Sequence, residues 1–238
     1  MNDELQRQFG YPRLATPANS ALESAGIVLP DQRPLPELLE PNAPIVTNPV
    51  DEPMQRVVHP RIRVVPFYAL GGWTNAIEDC WLRSEVLDRL SAAVESLPTQ
   101  FGLVVYDGWR PPSLQAELYN TAATDSSLPP DFLAEPSVDA TRPAPHESGG
   151  AIDLTLSVNG VSIAPGTDFD DTTNAACAAS FESSPGADRD VRRLLFWTMQ
   201  SQGFIVFRDE WWHFEYGTRR WAAIVGEAPK FGPITPPE

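Results

Sequence analysis

Basic side chains are scarce in this chain: 17 lysines and arginines stand against 32 acids in 238 residues, a net charge of -15. No basic stripe is left to displace counterions from a phosphate backbone, so no nucleic-acid partner is expected. Cysteine is nearly absent. Cys80 and Cys177 lie far apart in dissimilar contexts, which excludes a thiolate metal cage or a Cys-x-x-Cys redox pair. Free, reduced thiols are expected, with a single disulfide as the alternative. No apolar run is long enough to cross a bilayer, and Met1-Asn-Asp-Glu lacks the basic start and apolar stretch of a secretory leader. The expectation is a cytoplasmic protein without a membrane partner, unless a leader has been trimmed.

Proline is plentiful and unevenly placed. Ten of the 25 fall within residues 1–60, from Pro12 to Pro60. That density removes amide donors and forbids long helices. Residues 1–60 therefore read as a proline-rich extension, extended over the body or partly disordered. Residues 61–238 read as one folded domain with an irregular C-terminal tail. Arg61–Phe67 is a short β-rich run before a Gly71-Gly72 break. Leu82, Val86, Leu90, Ala93 and Leu97 recur at helical spacing and stop at Pro98. Gly102–Tyr106 is a buried strand leading to Arg110 and to a helix opened by Pro111-Pro112. Residues 122–145 form a long loop, a length often associated with lids. Ala151–Leu156 alternates as a strand, with Asp153 and Thr155 opposite the apolar face. A helix is expected over 188–202, then Phe204–Phe207 and Glu210–Tyr216 as a hairpin. The fold class that follows is α+β, an antiparallel sheet flanked by helices.

Histidine is also rare, and two of the three sit in short strings that complement each other: His146-Glu-Ser-Gly-Gly-Ala-Ile-Asp153 and Glu210-Trp-Trp-His213. A mononuclear hydrolytic zinc site takes about three N/O ligands, an open position for water, and a carboxylate that accepts the water's proton. His146, Asp153 and His213 supply the ligands and Glu210 the base. Gly149 and Gly150 would let backbone pass close to the metal. The alternatives are a surface-loop histidine for His146 and a solvated turn acid for Glu210. His59, beside Pro60, reads as a bystander. Arg110, between Trp109 and a helix start, is placed either to stabilise an oxyanion or to form a structural ion pair. Trp211 and Trp212 read as core and pocket wall.

Together the strings YDGWRP around Arg110, HESGGAIDLTL from His146, GTDFD ending at Asp170, and EWWHF containing Glu210 and His213 resemble the VanX-type D-alanyl-D-alanine dipeptidases. These are zinc peptidases related in fold to D,D-carboxypeptidases and to the hedgehog domain. The resemblance covers roughly residues 61 to 222. It implies that His146, Asp153 and His213 bind Zn2+, that Glu210 is the catalytic base, that Arg110 stabilises the tetrahedral intermediate, and that Asp170 binds the substrate's N-terminal ammonium. It also implies a small dipeptide substrate, D-Ala-D-Ala or a relative, and a place in cell-wall peptide chemistry. Two features depart from the family pattern. Ala144 stands where a serine is common, and the proline-rich segment has no counterpart in shorter members. The rival readings are a D,D- or L,D-carboxypeptidase acting on longer cell-wall peptides and a non-catalytic zinc-binding interaction module. Retention of Glu210 and Arg110 speaks against the latter.

Overall fold

A computed structural model describes residues 9–126, 128 and 132–237. The first eight residues of the expected extension, and residues 127 and 129–131 of the expected loop, lie outside the described residues. The centre of the fold is β5 (Phe101–Asp107) paired antiparallel with β6 (Ala151–Val158). Every residue of β6 is buried, because helices cover one face and the aromatic and polar residues of the site cover the other. One edge of β6 is shared. Its N-terminal half pairs with β9 (His213–Glu215) and its C-terminal half with β7 (Val161–Ala164). Asn159 and Gly160, both at positive φ, make the tight turn between β6 and β7 that such backbone favours.

β8 (Ile205–Val206) forms the expected hairpin with β9. The strands around the site are antiparallel, whereas two outer strands, β1 (Thr16–Pro17) against β7 and β3 (Ile62–Val64) against β5, run parallel. A separate pair joins β2 (Met54–Arg56) to β4 (Trp81–Arg83).

The helices are α1 (Ala18–Ala25), α2 (Phe67–Leu70), α3 (Ser84–Ser96), α4 (Pro112–Ala122), α5 (Ala187–Ser201) and α6 (Arg219–Val225). α3 buries Val86, Leu90 and Ala93, and α5 buries Val191, Leu195 and Met199, the one-sided periodicity read from the sequence. Leu82 departs from that reading. It is fully buried but belongs to β4, because Arg83 is extended and its amide bonds the Gly149 carbonyl. Phe67 also departs: Pro66 cannot donate to a ladder, and Phe67 opens α2 instead of extending β3.

Residues 9–60 lie against the body. Ala18, Ala21, Leu22 and Val57 join the same apolar core as β5, β6 and α5, and the Trp197 indole and Arg193 guanidinium bond the carbonyls of Arg33 and Gln32. Cys80 and Cys177 are free thiols. No described helix is long and apolar enough to cross a membrane.

Candidate active site

The site is assembled on one row of the sheet. Asp153 on β6 is in register with His213 on β9 and with Asp107 on β5, so all three side chains leave the same face. The third member reaches the row through an irregularity. Val105 pairs with Leu154, yet it is Asp107, not Tyr106, that pairs with Asp153. A bulge of one residue thus moves an acid onto a face that strict alternation gives to Tyr106.

His146 comes from the short 3-10 turn His146–Ser148, which ends at Gly149 in the left-handed region. The glycines that follow are needed for close packing. A Cβ on Gly149 would meet the Met54 sulfur at 2.7 Å, and one on Gly150 the Tyr216 carbonyl at 2.6 Å. They permit close packing of backbone against β2 and the end of β9.

His146, Asp153 and His213 are buried, and their donor atoms lie within 4.8 Å of one another. The proton positions follow from the outer contacts. His146 Nδ1 lies 2.7 Å from the Gly108 carbonyl, an acceptor, so it carries the hydrogen and leaves Nε2 as a lone pair. His213 Nε2 lies 3.0 Å from Glu215 Oε1. Burial alone would raise Glu215, but Arg220 and His213 hold it well below the usual carboxylate range, so His213 Nε2 donates and Nδ1 is the lone pair. Those two lone pairs face each other, His146 Nε2 to His213 Nδ1, at 3.2 Å. Asp153 approaches both, Oδ1 at 2.9 Å from His213 Nδ1 and Oδ2 at 3.4 Å from His146 Nε2. Two imidazole lone pairs and a carboxylate converging in a buried space, each imidazole oriented from behind, fit a divalent cation. Although burial opposes it, Asp153 and Glu215 push His213 up to about 10, the same negative field that would attract a cation.

Glu210 sits in the turn before β9, with its Oε2 3.8 Å from His213 Nδ1 and its side chain 21% exposed. Burial raises it above the ordinary carboxylate range, against the pull of His213. Arg110 is 4% exposed. Its Nε donates to Asp107 Oδ2 at 2.8 Å, its Nη1 to Gln115 Oε1 at 2.9 Å and its Nη2 to the Tyr68 hydroxyl at 3.3 Å. The ion pair with Asp107 is present, and the Nη2 edge, 3.8 Å from Asp153 Oδ2, still faces the cavity.

Asp170 is buried at positive φ, an uncommon backbone state for aspartate. Its Oδ1 has only a 3.5 Å contact from the Tyr68 hydroxyl, and its Oδ2 has no partner. Burial first, then Glu210, pushes Asp170 up to about 8, against Arg110.

All six residues singled out in the sequence, His146, Asp153, His213, Glu210, Arg110 and Asp170, line one cavity of about 130 Å³. Phe132, Leu133 and Ala134 of the long loop and Trp212 complete its wall. His59 lies elsewhere, against Glu95. Ala144 lines a neighbouring cavity of about 330 Å³, and its amide donates to Ser137 Oγ at 2.8 Å.

Sequence reasoning missed Tyr68, Asp107, Gln115, Glu215 and Arg220. Glu215 had a signal: two residues after His213 on a strand, it must share that residue's face. Asp107 had none, because its place depends on the bulge.

A family model described as D-ala-D-ala dipeptidase matches residues 78–227. A D-alanyl-D-alanine dipeptidase of Escherichia coli (strain K12) is 34% identical over 139 residues, 57% of this chain and 66% of that protein. One from Synechocystis sp. is 24% identical over 223 residues, covering 79% of this chain and 87% of its own length. Among solved structures, the vancomycin-resistance D,D-dipeptidase VanXYg, in complex with a D-Ala-D-Ala phosphinate analogue, aligns at 22% identity and a TM-score of 0.36, over 59% of this chain and 52% of that one.

Proposed function

We propose that this chain, which belongs to the D-Ala-D-Ala dipeptidase family, is a zinc-dependent exopeptidase that hydrolyses D-Ala-D-Ala or a closely related free dipeptide. One observation carries the reading. The cavity that gathers two imidazole lone pairs and a carboxylate also contains a buried acid, Asp170, with an oxygen that has no partner. Burial holds this acid up to about 8, so its ionised form is costly unless a cation arrives, and the α-ammonium of a free peptide would supply one.

His146, Asp153 and His213 would hold the metal, and their mixed N/O set suits zinc. When bound, zinc supplies Lewis acidity and eases deprotonation of water at neutral pH. The remaining work falls to side chains of this chain. Glu210 Oε2 accepts the proton of the attacking water and returns it to the leaving amine, and its raised proton affinity suits both transfers. Arg110, held by Asp107 and Gln115, presents Nη2 to the oxygen that becomes negative as the carbonyl turns tetrahedral. Asp170 receives the ammonium and sets the scissile bond one residue away. Trp212 and the loop residues Phe132 and Leu133 form an apolar part of the cavity wall.

Free thiols at Cys80 and Cys177 support a reducing compartment, and we place the enzyme in the cytoplasm. The test is turnover of D-Ala-D-Ala by the full chain before and after chelation. Activity should disappear with chelator and return with zinc, and a zinc-loaded protein that leaves the dipeptide intact overturns the proposal.

A further inference from the structure

Residues 40–44 of the proline-rich segment are gripped by two consecutive arginines at the start of α6. Arg219 donates from Nε to the Pro44 carbonyl at 2.7 Å and from Nη2 to the Ala43 carbonyl at 3.1 Å. Arg220 bridges the segment and the site. Its Nε donates to Glu40 Oε1 at 2.8 Å, and its Nη1 donates to Glu215 Oε1. Glu215 is fully buried. Its Oε1 also receives His213 Nε2 at 3.0 Å, and its Oε2 receives the Thr218 hydroxyl. The Arg220 guanidinium lies 4.0 Å over the Phe207 ring, and both residues line the cavity that holds the ligand cluster.

This chain of contacts has a direction. Zinc binding requires His213 to offer Nδ1 inward and keep its proton on Nε2. Glu215 enforces that state only while its Oε1 stays turned towards His213 Nε2. Arg220 holds that oxygen from the other side, and Arg220 is a forked cation that needs its second edge fixed to hold one orientation. Glu40 fixes that edge from a segment that packs on the domain from outside.

We infer that Glu40 is a positioning residue of the metal centre, acting through Arg220 and Glu215 on His213, so that the proline-rich segment completes the zinc site. The inference rests on the reading of His146, Asp153 and His213 as the zinc ligands. Loss of an outer-shell partner weakens metal binding by roughly 10- to 100-fold. Arg220→Gln should fall in that range. Glu40→Gln should fall near its lower end, about 10-fold, and Glu40→Asp, which keeps the charge, should stay closer to the parent.

The experiment is zinc affinity of the full-length protein by chelator competition, far below the melting temperature. Melting of the metal-free forms is recorded alongside, because a brace with no effect on the metal would change only that melting. Parent-like zinc affinity in both Glu40→Gln and Arg220→Gln overturns the inference. So does a Glu40→Gln protein that melts early when metal-free yet binds zinc as the parent does. If the parent itself binds no zinc, the reading of the ligand cluster fails, and the relay with it.

Discussion

Asp153 and His213 stand directly opposite each other on adjacent antiparallel strands, with Oδ1 2.9 Å from Nδ1. The pairing of β6 with β9 therefore brings together two of the three proposed metal ligands, and His146 would complete the set from the preceding turn. His213→Ala should retain the fold, since the ladder bonds are main-chain, but lose most of its zinc. Metal analysis of protein purified without chelator checks this, and parent-like zinc content in the variant contradicts the ligand assignment.

Glu210 should separate from the ligands. It lies 3.8 Å from His213 Nδ1 and outside the converging trio. Glu210→Gln should keep zinc and melting behaviour while turnover drops by roughly 100- to 10,000-fold, the usual contribution of a positioned base. Loss of metal in this variant would make Glu210 a ligand.

Much of this site was legible from spacing alone. His146 and Asp153 are bound to a turn and the strand that follows it, and Glu210 and His213 to one turn before a strand, so local sequence brings each pair together. Only the tertiary pairing of β6 with β9 was needed to join them. Asp107 was not legible, because strict alternation gives its position to Tyr106 and the bulge reverses that. Nor was Leu82, whose spacing fits α3 although an extended Arg83 keeps it in a strand. The parallel outer strands β1 and β3 depend on long-range pairing that no local pattern carries. The Glu40–Arg220 contact joins residues 180 positions apart, with nothing in either neighbourhood to announce it.

Asp107 balances the buried charge of Arg110. Both are nearly inaccessible, with side chains 10% and 4% exposed. Asp107→Ala leaves the guanidinium hydrogen-bonded only to the neutral Gln115 and Tyr68, with the longer 3.8 Å ion pair to Asp153 remaining, and removing one member of a buried pair costs about 3–5 kcal/mol. Chemical denaturation should show that loss. A change below about 1 kcal/mol would mean that Asp107 is not the principal counter-charge.

Asp170 should make stability depend on pH. Its folded-state value of about 8 lies far above its ordinary 3.8. Between those values the native state keeps a proton that the unfolded chain has released, so the contribution is present below about pH 4 and is lost as pH rises through about 8. Asp170→Asn removes the titration. The variant's advantage over the parent in Tm should therefore grow from pH 5 to pH 9, by an amount on the order of a few kcal/mol in stability. An unchanged difference across that range would place the Asp170 carboxylate in an ordinary solvated setting.

The central claim is that one cavity pairs a metal-activated hydrolytic centre with a carboxylate reserved for a free ammonium. The most direct measurement is kcat/KM for D-Ala-D-Ala against N-acetyl-D-Ala-D-Ala with the zinc-loaded enzyme. Acetylation removes the charge that Asp170 would bind, and a penalty of even about 3 kcal/mol lowers kcat/KM by roughly 100-fold or more. The account predicts at least that preference for the free dipeptide, narrowed in Asp170→Ala. Equal values for the two substrates in the parent enzyme would contradict it.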